Sequence, residues 1–468
     1  MSSIMSNLQD ETISSKLAHF FNNLKYDDLP EQVIHRAKLH ILDALGIAVA
    51  SSIESYSKVS FNSLEDICGA GDYQVIGFDR CLPYREAAVM NGFLIHSLDY
   101  DDTHVAGVIH ASASAIPAVL AAAIKYNADA HKALVAYIIG VETSARIGMA
   151  AKGGFHKRGF HPTGLVGCFG ATMAAGTLAG LSVSELTHAQ GIVYSMAAGN
   201  LEFLEQGAWT KRLHPGWAAG CALTAISFAK NGFQGPLSPY EGRFGLYKTC
   251  SSDEIKVDYK LASSSLGDDW EMLKVGIKPY PACHLTHACI DASREIRNNY
   301  NVTFENIKHI TARVHPESMP VICDPIKEKR RPKNSYEAQF SLPYLVASAI
   351  CRDRVALVDL ENEAFTNLEI LSLCDRISCE PMKGSLYPRY FSGEVEVTTL
   401  NGEIFTVREE INRGADKKPL DENEIINKFI ENASLVMSSD QVRLIVDHTM
   451  ELEGYDSLSY FLDNFIKH

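Results

Sequence analysis

The spacing of apolar residues separates a long helical part of the chain from a shorter part that mixes strands and helices. From Thr12 to about Gly232, apolar residues recur every three to four positions, which is the period of a helix with one buried face. Ile116-Pro117 places a proline where a helix can begin, and Ser182 and Glu185 have the spacing of a capping box. This part is therefore predicted to be helical.

A run rich in glycine and alanine, residues 164–180, lies inside the helical part. Small residues let helix axes approach closely, at some cost in helix propensity. Val166, Phe169, Met173 and Leu178 recur within the run at a spacing typical of a core helix. We therefore predict a central packed helix, with a flexible linker as the alternative.

The pattern changes after about Lys274. Residues 307–314 alternate like a half-buried strand, and Asn401-Gly402, between the runs 393–400 and 403–407, is a strong hairpin signal. Three further helices are predicted, over residues 335–349, 422–431 and 440–452. These elements indicate a smaller domain that contains a sheet.

The predicted fold class is mainly α. A large all-helical domain is expected over residues 1–271, with residues 412–468 returning to it, and a smaller α+β domain over residues 272–411. No internal repeat is apparent, which argues against a solenoid.

The amino-acid composition argues against several classes of function. The chain has 468 residues, 46% of them hydrophobic, and a formal net charge of -14, which argues against a nucleic-acid or anionic-membrane partner. Apolar stretches such as 116–124 are shorter than a membrane span, and residues 1–11 do not resemble a secretory signal. The expected location is therefore cytoplasmic. The 11 cysteines form no Cys-x-x-Cys pair, which favours reduced thiols over a disulfide framework or zinc ribbon.

The most unusual segment runs from His96 to His104 and contains two histidines and three aspartates directly after an apolar run. If the preceding helix continues through it, His96, Asp99 and Thr103 share one face and line a pocket. The alternative is a solvated helix end. Negative charge near a helix C-terminus is unfavourable unless it is compensated, which favours the pocket.

Two histidines and two lysines outside this segment are further candidates. His110 and His161 are predicted proton carriers, because an imidazole titrates near neutrality and works in either direction. Lys211, close to Arg212 and His214, and Lys278, which precedes a thiol and an imidazole, are candidate binders of substrate carboxylates. The alternative for each lysine is an ordinary surface ion pair.

A metal site is a weaker hypothesis. His96, Asp99, Asp101, Asp102 and His104 are ligand types, but they form neither a His-Glu-x-x-His helix nor an EF-hand loop. A phosphate-binding loop and a dinucleotide fingerprint are also absent from the sequence. The sequence therefore implies no metal and no nucleotide cofactor.

Taken together, these motifs resemble those of the MmgE/PrpD family, which includes 2-methylcitrate dehydratase, cis-aconitate decarboxylase and iminodisuccinate epimerase. The likeness is carried, in order, by residues 91–104, 159–164, 210–216, 240–245 and 278–287. The resemblance implies a homodimer of two-domain subunits, each a helical domain and an α+β lid with the cleft between them. It also implies that no metal or organic cofactor is used.

The resemblance also suggests residue roles. His110 and His161 would be the acid/base pair, Asp99 and Thr103 would line the pocket, and Lys211 and Lys278 would bind carboxylates. His104 and His284, from the same segments, are added as substrate-binding candidates. In the decarboxylases of the family, a histidine stands about five residues after the lysine that matches Lys278. This chain has Cys283 at that position and His284 directly after it.

The predicted activity is that of a lyase acting on a di- or tricarboxylic acid, with dehydration of a 2-methylcitrate-like hydroxy acid favoured slightly over decarboxylation. In a dehydration, one of His110 and His161 takes the α-proton, and Asp99, held protonated by burial, assists the departure of hydroxide. Decarboxylation of a cis-aconitate-like acid and epimerisation next to a carboxylate need the same proton chemistry. A non-catalytic helical scaffold is the alternative from another class, but it leaves the clustered histidines, aspartates and lysines unexplained.

Overall fold

The structure is a computed structural model that describes residues 12–455. The first eleven residues, on which the expectation about a secretory signal rests, and residues 456–468 lie outside the described part. The chain divides into two compact units, residues 1–275 with 421–468 and residues 276–420. Sequence placed these boundaries at 271/272 and 411/412.

The first unit is built almost entirely from helices. Its helices are α1 (Ile13–Asn23), α2 (Glu31–Ser51), α3 (Ser55–Cys68), α4 (Tyr84–His96), α5 (Ser112–Lys125), α6 (Ala130–Ala150), α7 (Gly154–Arg158), α8 (Pro162–Leu178), α9 (Val183–Tyr194), α10 (Phe203–Gln206), α11 (Thr210–Lys230), α12 (Leu246–Thr249), α19 (Glu422–Ala433) and α20 (Ser439–Met450). Two short strands of two residues each, β1 (Tyr73–Gln74) and β2 (Cys81–Leu82), pair antiparallel. The prediction of a mainly α fold is confirmed.

Local sequence signals account for several helix ends. Ser182 and Glu185 form the predicted capping box at the start of α9, and Asp421 with Glu424 forms another at the start of α19. The start predicted at Pro117 is wrong, because α5 begins at Ser112 and contains Pro117 in its second turn. A proline near a helix N-terminus removes few hydrogen bonds, and so it does not need to be the first residue.

The glycine- and alanine-rich run forms helix α8, as predicted. Every residue from Pro162 to Gly176 is buried, and the helix packs against α6, α5 and α11. The linker alternative is therefore wrong. Small side chains allow this helix to be surrounded by other helices on all sides.

The second unit contains a four-stranded sheet. Its strands are β3 (Ile307–Val314), β4 (Ile377–Pro381), β5 (Gly393–Thr399) and β6 (Ile404–Glu409), in the order β4-β3-β5-β6. β3 runs parallel to β4 and antiparallel to β5. The Asn401-Gly402 turn connects β5 and β6 as predicted.

The second unit also contains helices. They are α13 (His287–Tyr300), α14 (Met319–Ile322), α15 (Ile326–Lys329), α16 (Ser335–Gln339), α17 (Leu342–Arg352) and α18 (Leu368–Asp375). Of these, α13 and α17 contact the strands of this sheet. The single helix predicted over 335–349 is two helices, because the Ser341 hydroxyl caps a new start and Pro343 stands in its first turn.

Of the described residues, one helix, α6, has the length and apolar composition of a membrane span. The fold buries 94% of its most apolar 18-residue window. Its apolar side chains therefore belong to the core of the first unit.

Candidate active site

The acidic segment forms a loop between α4 and α5. The expected continuation of the helix is wrong: α4 ends at His96, and Asp99 has a φ of 51°, a left-handed conformation that ends a right-handed helix. The alternative of a solvated helix end is also wrong, since Asp101 and Asp102 are 0% and 2% exposed. The loop places the carboxylates of Asp101 and Asp102 next to histidines and that of Asp99 next to a lysine.

Asp101 joins two histidines. One of its carboxylate oxygens, Oδ2, lies 2.7 Å from His96 Nδ1, and the other, Oδ1, lies 3.4 Å from His110 Nδ1. His110 Nδ1 also donates a hydrogen bond to the carbonyl oxygen of Asp102 at 2.7 Å. Because a carbonyl oxygen only accepts, the ring proton of neutral His110 is on Nδ1. His110 Nε2 is then the atom that takes or gives a proton.

His161 joins this group from the N-terminus of α8. Gly159, with a φ of 98°, ends α7, and Pro162 occupies the first position of α8, so that His161 stands at the turn between them. Its ring centroid lies 5.5 Å from that of His96 and 6.5 Å from that of His110. The structure therefore brings together the two histidines that sequence proposed as acid and base.

His214, in the first turns of α11, contacts His161 directly, with 2.9 Å between the two Nδ1 atoms. Burial lowers the pKa of His161 well below its ordinary value, and His96, Lys211, His214 and His110 act in the same direction. Burial, together with His96 and Lys211, lowers the pKa of His214 to about 4. Both rings are therefore neutral at pH 7 and able to accept protons.

Lys211 supplies the cation of this group. Its Nζ lies 2.6 Å from Asp99 Oδ1, and both side chains are mostly buried. The next residue, Arg212, donates to the carbonyl oxygen of Ser97 and lies over the Tyr56 ring, which holds the start of α11 against the acidic loop. Lys211 and Asp99 thus form a nearly buried ion pair beside the histidines.

Asp102 anchors the acidic loop to helices α2 and α5. Its carboxylate lies 3.2 Å from His40 Nδ1 and accepts a hydrogen bond from the Ser112 hydroxyl, which is 2.6 Å from the Tyr137 hydroxyl. Burial raises the pKa of Asp102, but the nearby His40 ring and the hydrogen bond from Ser112 outweigh it and leave the pKa below its ordinary value. Asp102 is therefore a buried carboxylate that fixes the loop.

Lys428, from the C-terminal helix α19, fixes the same loop. Its Nζ donates to the carbonyl oxygen of Tyr100 at 2.9 Å and lies 2.6 Å from Asp43 Oδ1. Burial raises the pKa of Asp43 to about 6, although Lys428 opposes this shift. The returning C-terminal segment thus helps to shape the acidic loop.

Thr103 and His104 have separate environments. Thr103 Oγ1 is buried without a hydrogen-bond partner among the described residues. His104 Nδ1 accepts from the Gly107 amide, so its Nε2 donates to Glu271 Oε2 at 3.0 Å. Both ring nitrogens of His104 are therefore used, Nδ1 within the loop and Nε2 in a bond that ties the loop to Glu271.

The other two candidates, Lys278 and His284, belong to the second unit. They are 3% and 8% exposed. Asn412 Oδ1 accepts from the Phe391 amide, so its Nδ2 donates to His284 Nε2 at 2.8 Å. This bond places the proton of neutral His284 on Nδ1.

Within residues 12–455, three residues have the donor atoms and spacing to hold a metal ion. His96, Asp101 and His110 each offer one ligand atom, and these atoms lie within 4.8 Å of one another. Two of the five candidate ligand residues named from sequence, His96 and Asp101, belong to this group. The third member, His110, was not among those five. The carboxylate of Asp101 also makes the contacts with His96 and His110 described above.

Sequence reasoning missed several residues of this site. His214 was noted beside Lys211 but given no role, and His40, Asp43 and Lys428 were not considered. His40 and Asp43 interrupt the apolar run of α2 at a spacing of one helical turn, which was a usable signal of a buried polar site. The sequence around Lys428 contains no comparable pattern that would mark it as a buried site residue.

Comparisons with known proteins agree with the fold. The model of the MmgE/PrpD N-terminal domain matches residues 15–258, and that of the MmgE/PrpD C-terminal domain matches residues 280–452. Among curated relatives, the cis-aconitate decarboxylase-like protein oryM of Aspergillus oryzae is 27% identical over 96% of both chains. The cis-aconitate decarboxylases of Aspergillus terreus and Mus musculus are each 26% identical over 96% of this chain and 95% and 92% of theirs. The chain therefore belongs to the MmgE/PrpD family.

Proposed function

We propose that this protein is a cofactor-independent lyase that removes carbon dioxide from a cis-aconitate-like tricarboxylic acid. The observation that carries the proposal is the cluster of two buried histidines, His96 and His161, and two partly buried ones, His110 and His214, beside the Lys211–Asp99 ion pair. The names of the curated relatives support decarboxylation as the reaction.

Loss of carbon dioxide leaves negative charge on a carbon next to a carboxylate, and that carbon must then receive a proton. His161 Nε2 carries a proton for this transfer when His214 Nδ1 donates to His161 Nδ1, and His110 Nε2, which is bare in the neutral ring, gives a proton only after it has taken one. Burial excludes competing water and strengthens nearby electrostatic interactions. The histidines thus supply the proton, and the reaction needs no electron transfer.

Lys211 binds a substrate carboxylate in this scheme. Asp99 neutralises Lys211 when no substrate is bound, and an incoming carboxylate takes over that contact. A cation aimed at the carboxylate also stabilises the enediolate-like charge that develops in the transition state. Lys278, in the second unit, is a proposed second carboxylate binder, and Thr103 and His284 remain candidates for substrate contacts. His104 is not kept as one, because both of its ring nitrogens are engaged by Gly107 and Glu271.

Dehydration of a 2-methylcitrate-like hydroxy acid is the second candidate. It is favoured by Cys283, which stands where the decarboxylases of the family carry a histidine. In this reaction His110 or His161 removes the α-proton, and Asp99, once a substrate carboxylate has replaced it on Lys211 and it has taken up a proton, assists loss of hydroxide.

The proposal is tested by turnover of cis-aconitate, citrate and 2-methylcitrate by the full chain and its variants. We expect His110→Ala and His161→Ala each to lower kcat on the order of 100-fold, the usual contribution of a general acid or base. His131→Ala, which changes an exposed histidine, is the matched control and should retain wild-type turnover. Near-normal activity of both site variants would refute the assignment.

A further inference from the structure

The hydrogen bond between His161 and His214 couples the protons of the two rings. It joins Nδ1 to Nδ1 at 2.9 Å, so one ring must donate and the other must accept. If His161 donates, its Nε2 is bare and the proton of neutral His214 is on Nε2. If His214 donates, the positions are reversed.

The two rings differ in their access to solvent. His161 is 6% exposed, and its ring packs against Phe203 and the rings of His96 and His110. His214, on the first turns of α11, is partly exposed. The pair therefore leads from a buried ring to one that water reaches.

The groups facing the pair keep it uncharged. His96, His110 and Lys211 face His161, while His96 and Lys211 also act on His214. Burial is the largest influence and lowers the pKa of both rings, that of His214 to about 4. At pH 7 the pair therefore holds two protons, one of them in the shared bond.

We propose that His161 and His214 form a proton relay between the substrate and solvent, which rests on the proposed function. When His161 Nε2 takes a proton from a substrate, the Nδ1 proton passes to His214 Nδ1, and His214 Nε2 releases its proton to water. The reverse sequence delivers a proton to a substrate carbon. Each full transfer leaves the pair with two protons and no net charge.

The shared proton is tested without substrate. Long-range proton–nitrogen NMR spectra of the nitrogen-15-labelled full chain report which ring nitrogens carry protons. We expect one protonated and one bare Nδ1 for His161 and His214, with both rings neutral at pH 7. Two bare or two protonated Nδ1 atoms, or a positive charge on either ring at pH 7, would overturn the relay.

Kinetics separate a relay from a purely structural contact. His214→Ala removes the relay and leaves space, whereas His214→Asn retains a hydrogen-bonding partner for His161 but transfers no proton. We expect both variants to lose kcat on the order of 100-fold with little change in KM. Added imidazole should restore kcat about tenfold in His214→Ala and leave the His131→Ala control unchanged.

The outcomes distinguish the relay from the function on which it rests. Wild-type kcat in His214→Asn, or no response of His214→Ala to imidazole, would contradict the relay even if the wild type is an active lyase. If the wild type turns over none of the acids, the proposed function fails, and the NMR spectra still decide whether the proton is shared.

Discussion

At the scale of single residues, hydrogen bonds decide where protons are held. His110 donates through Nδ1 to a main-chain carbonyl, and His104 is fixed in the opposite tautomer by the Gly107 amide. The two histidines lie six positions apart in one loop, yet one offers Nε2 for chemistry and the other uses both nitrogens in structure. Residue type alone does not distinguish them.

Glu142 in α6 allows a test of the electrostatics of the first unit. Its carboxylate accepts from the Met272 amide and from Arg146, and burial raises its pKa from 4.5 to about 7 although Arg146 opposes the shift. The fold therefore favours protonated Glu142. Its contribution to stability is fully present below pH 4.5 and is lost as the pH rises through 7.

We predict that Glu142→Gln is better tolerated at pH 8.5 than at pH 5.5. The wild type loses about 2 kcal/mol of unfolding free energy from this group between the two pH values, whereas the glutamine does not titrate. Urea denaturation of both proteins at both pH values measures the difference, and exposed Glu205→Gln is the control. An equal effect of Glu142→Gln at both pH values would contradict the assignment.

At the scale of elements, the crossing of α4 and α11 positions the site. A Cβ at Gly216 would lie 2.0 Å from the carbonyl oxygen of Val89, and one at Gly92 would lie 2.6 Å from Gly216 Cα. This close approach brings His96, at the end of α4, to the same region as Lys211 and His214 of α11.

Gly216→Ala is therefore expected to separate these helices. Because the added methyl group meets rigid backbone, we predict a loss of about 1–3 kcal/mol of unfolding free energy, typical of overpacking. Turnover should fall at the same time, since the histidines move apart. Gly454→Ala, where the added Cβ meets nothing within 4 Å, is the control. Wild-type stability of Gly216→Ala, measured by thermal unfolding, would contradict this account of the crossing.

Elements with local signals were predictable from sequence. The capping box at Ser182, the strand over Ile307–Val314 and the Asn401-Gly402 hairpin lie where expected. β4 was missed because it is a short parallel strand, whose partner on β3 lies more than sixty residues earlier and is joined by no turn signal. The break before α17 was missed because the helical period of the apolar residues continues across it.

At the scale of the whole molecule, contacts between distant parts of the chain complete the site. Lys428 and Tyr100 are 328 positions apart, yet their bond fixes the acidic loop. A local motif was enough to predict that the loop residues belong to a site, but it did not identify their buried partners. Such partners are specified by packing of the complete first unit and leave no pattern in a single sequence.

One exposed surface supports the expected homodimer. Trp209, which directly precedes α11, and Leu213 and Trp217 within it follow one another at intervals of four positions and are 40–49% exposed. Exposed apolar patches of this kind commonly mark interfaces between proteins. We propose that a second copy of the chain covers this stripe.

We predict that Leu213→Glu weakens the dimer. A charge in an apolar interface is costly unless it is paired, so the measured mass should fall toward that of a monomer. Light scattering after size-exclusion chromatography checks this. Leu444→Glu changes a leucine of equal exposure on α20 and should leave the mass unchanged. A monomeric wild type would contradict the dimer.

The central claim is that buried histidines carry out proton transfer in a lyase reaction on a tricarboxylic acid. The most direct test incubates the chelator-treated protein with cis-aconitate in deuterated water and follows the products by proton NMR. We predict loss of carbon dioxide with one deuterium on the carbon that receives the proton. Turnover that appears only after a divalent metal is added, or a product without solvent deuterium, would contradict the account.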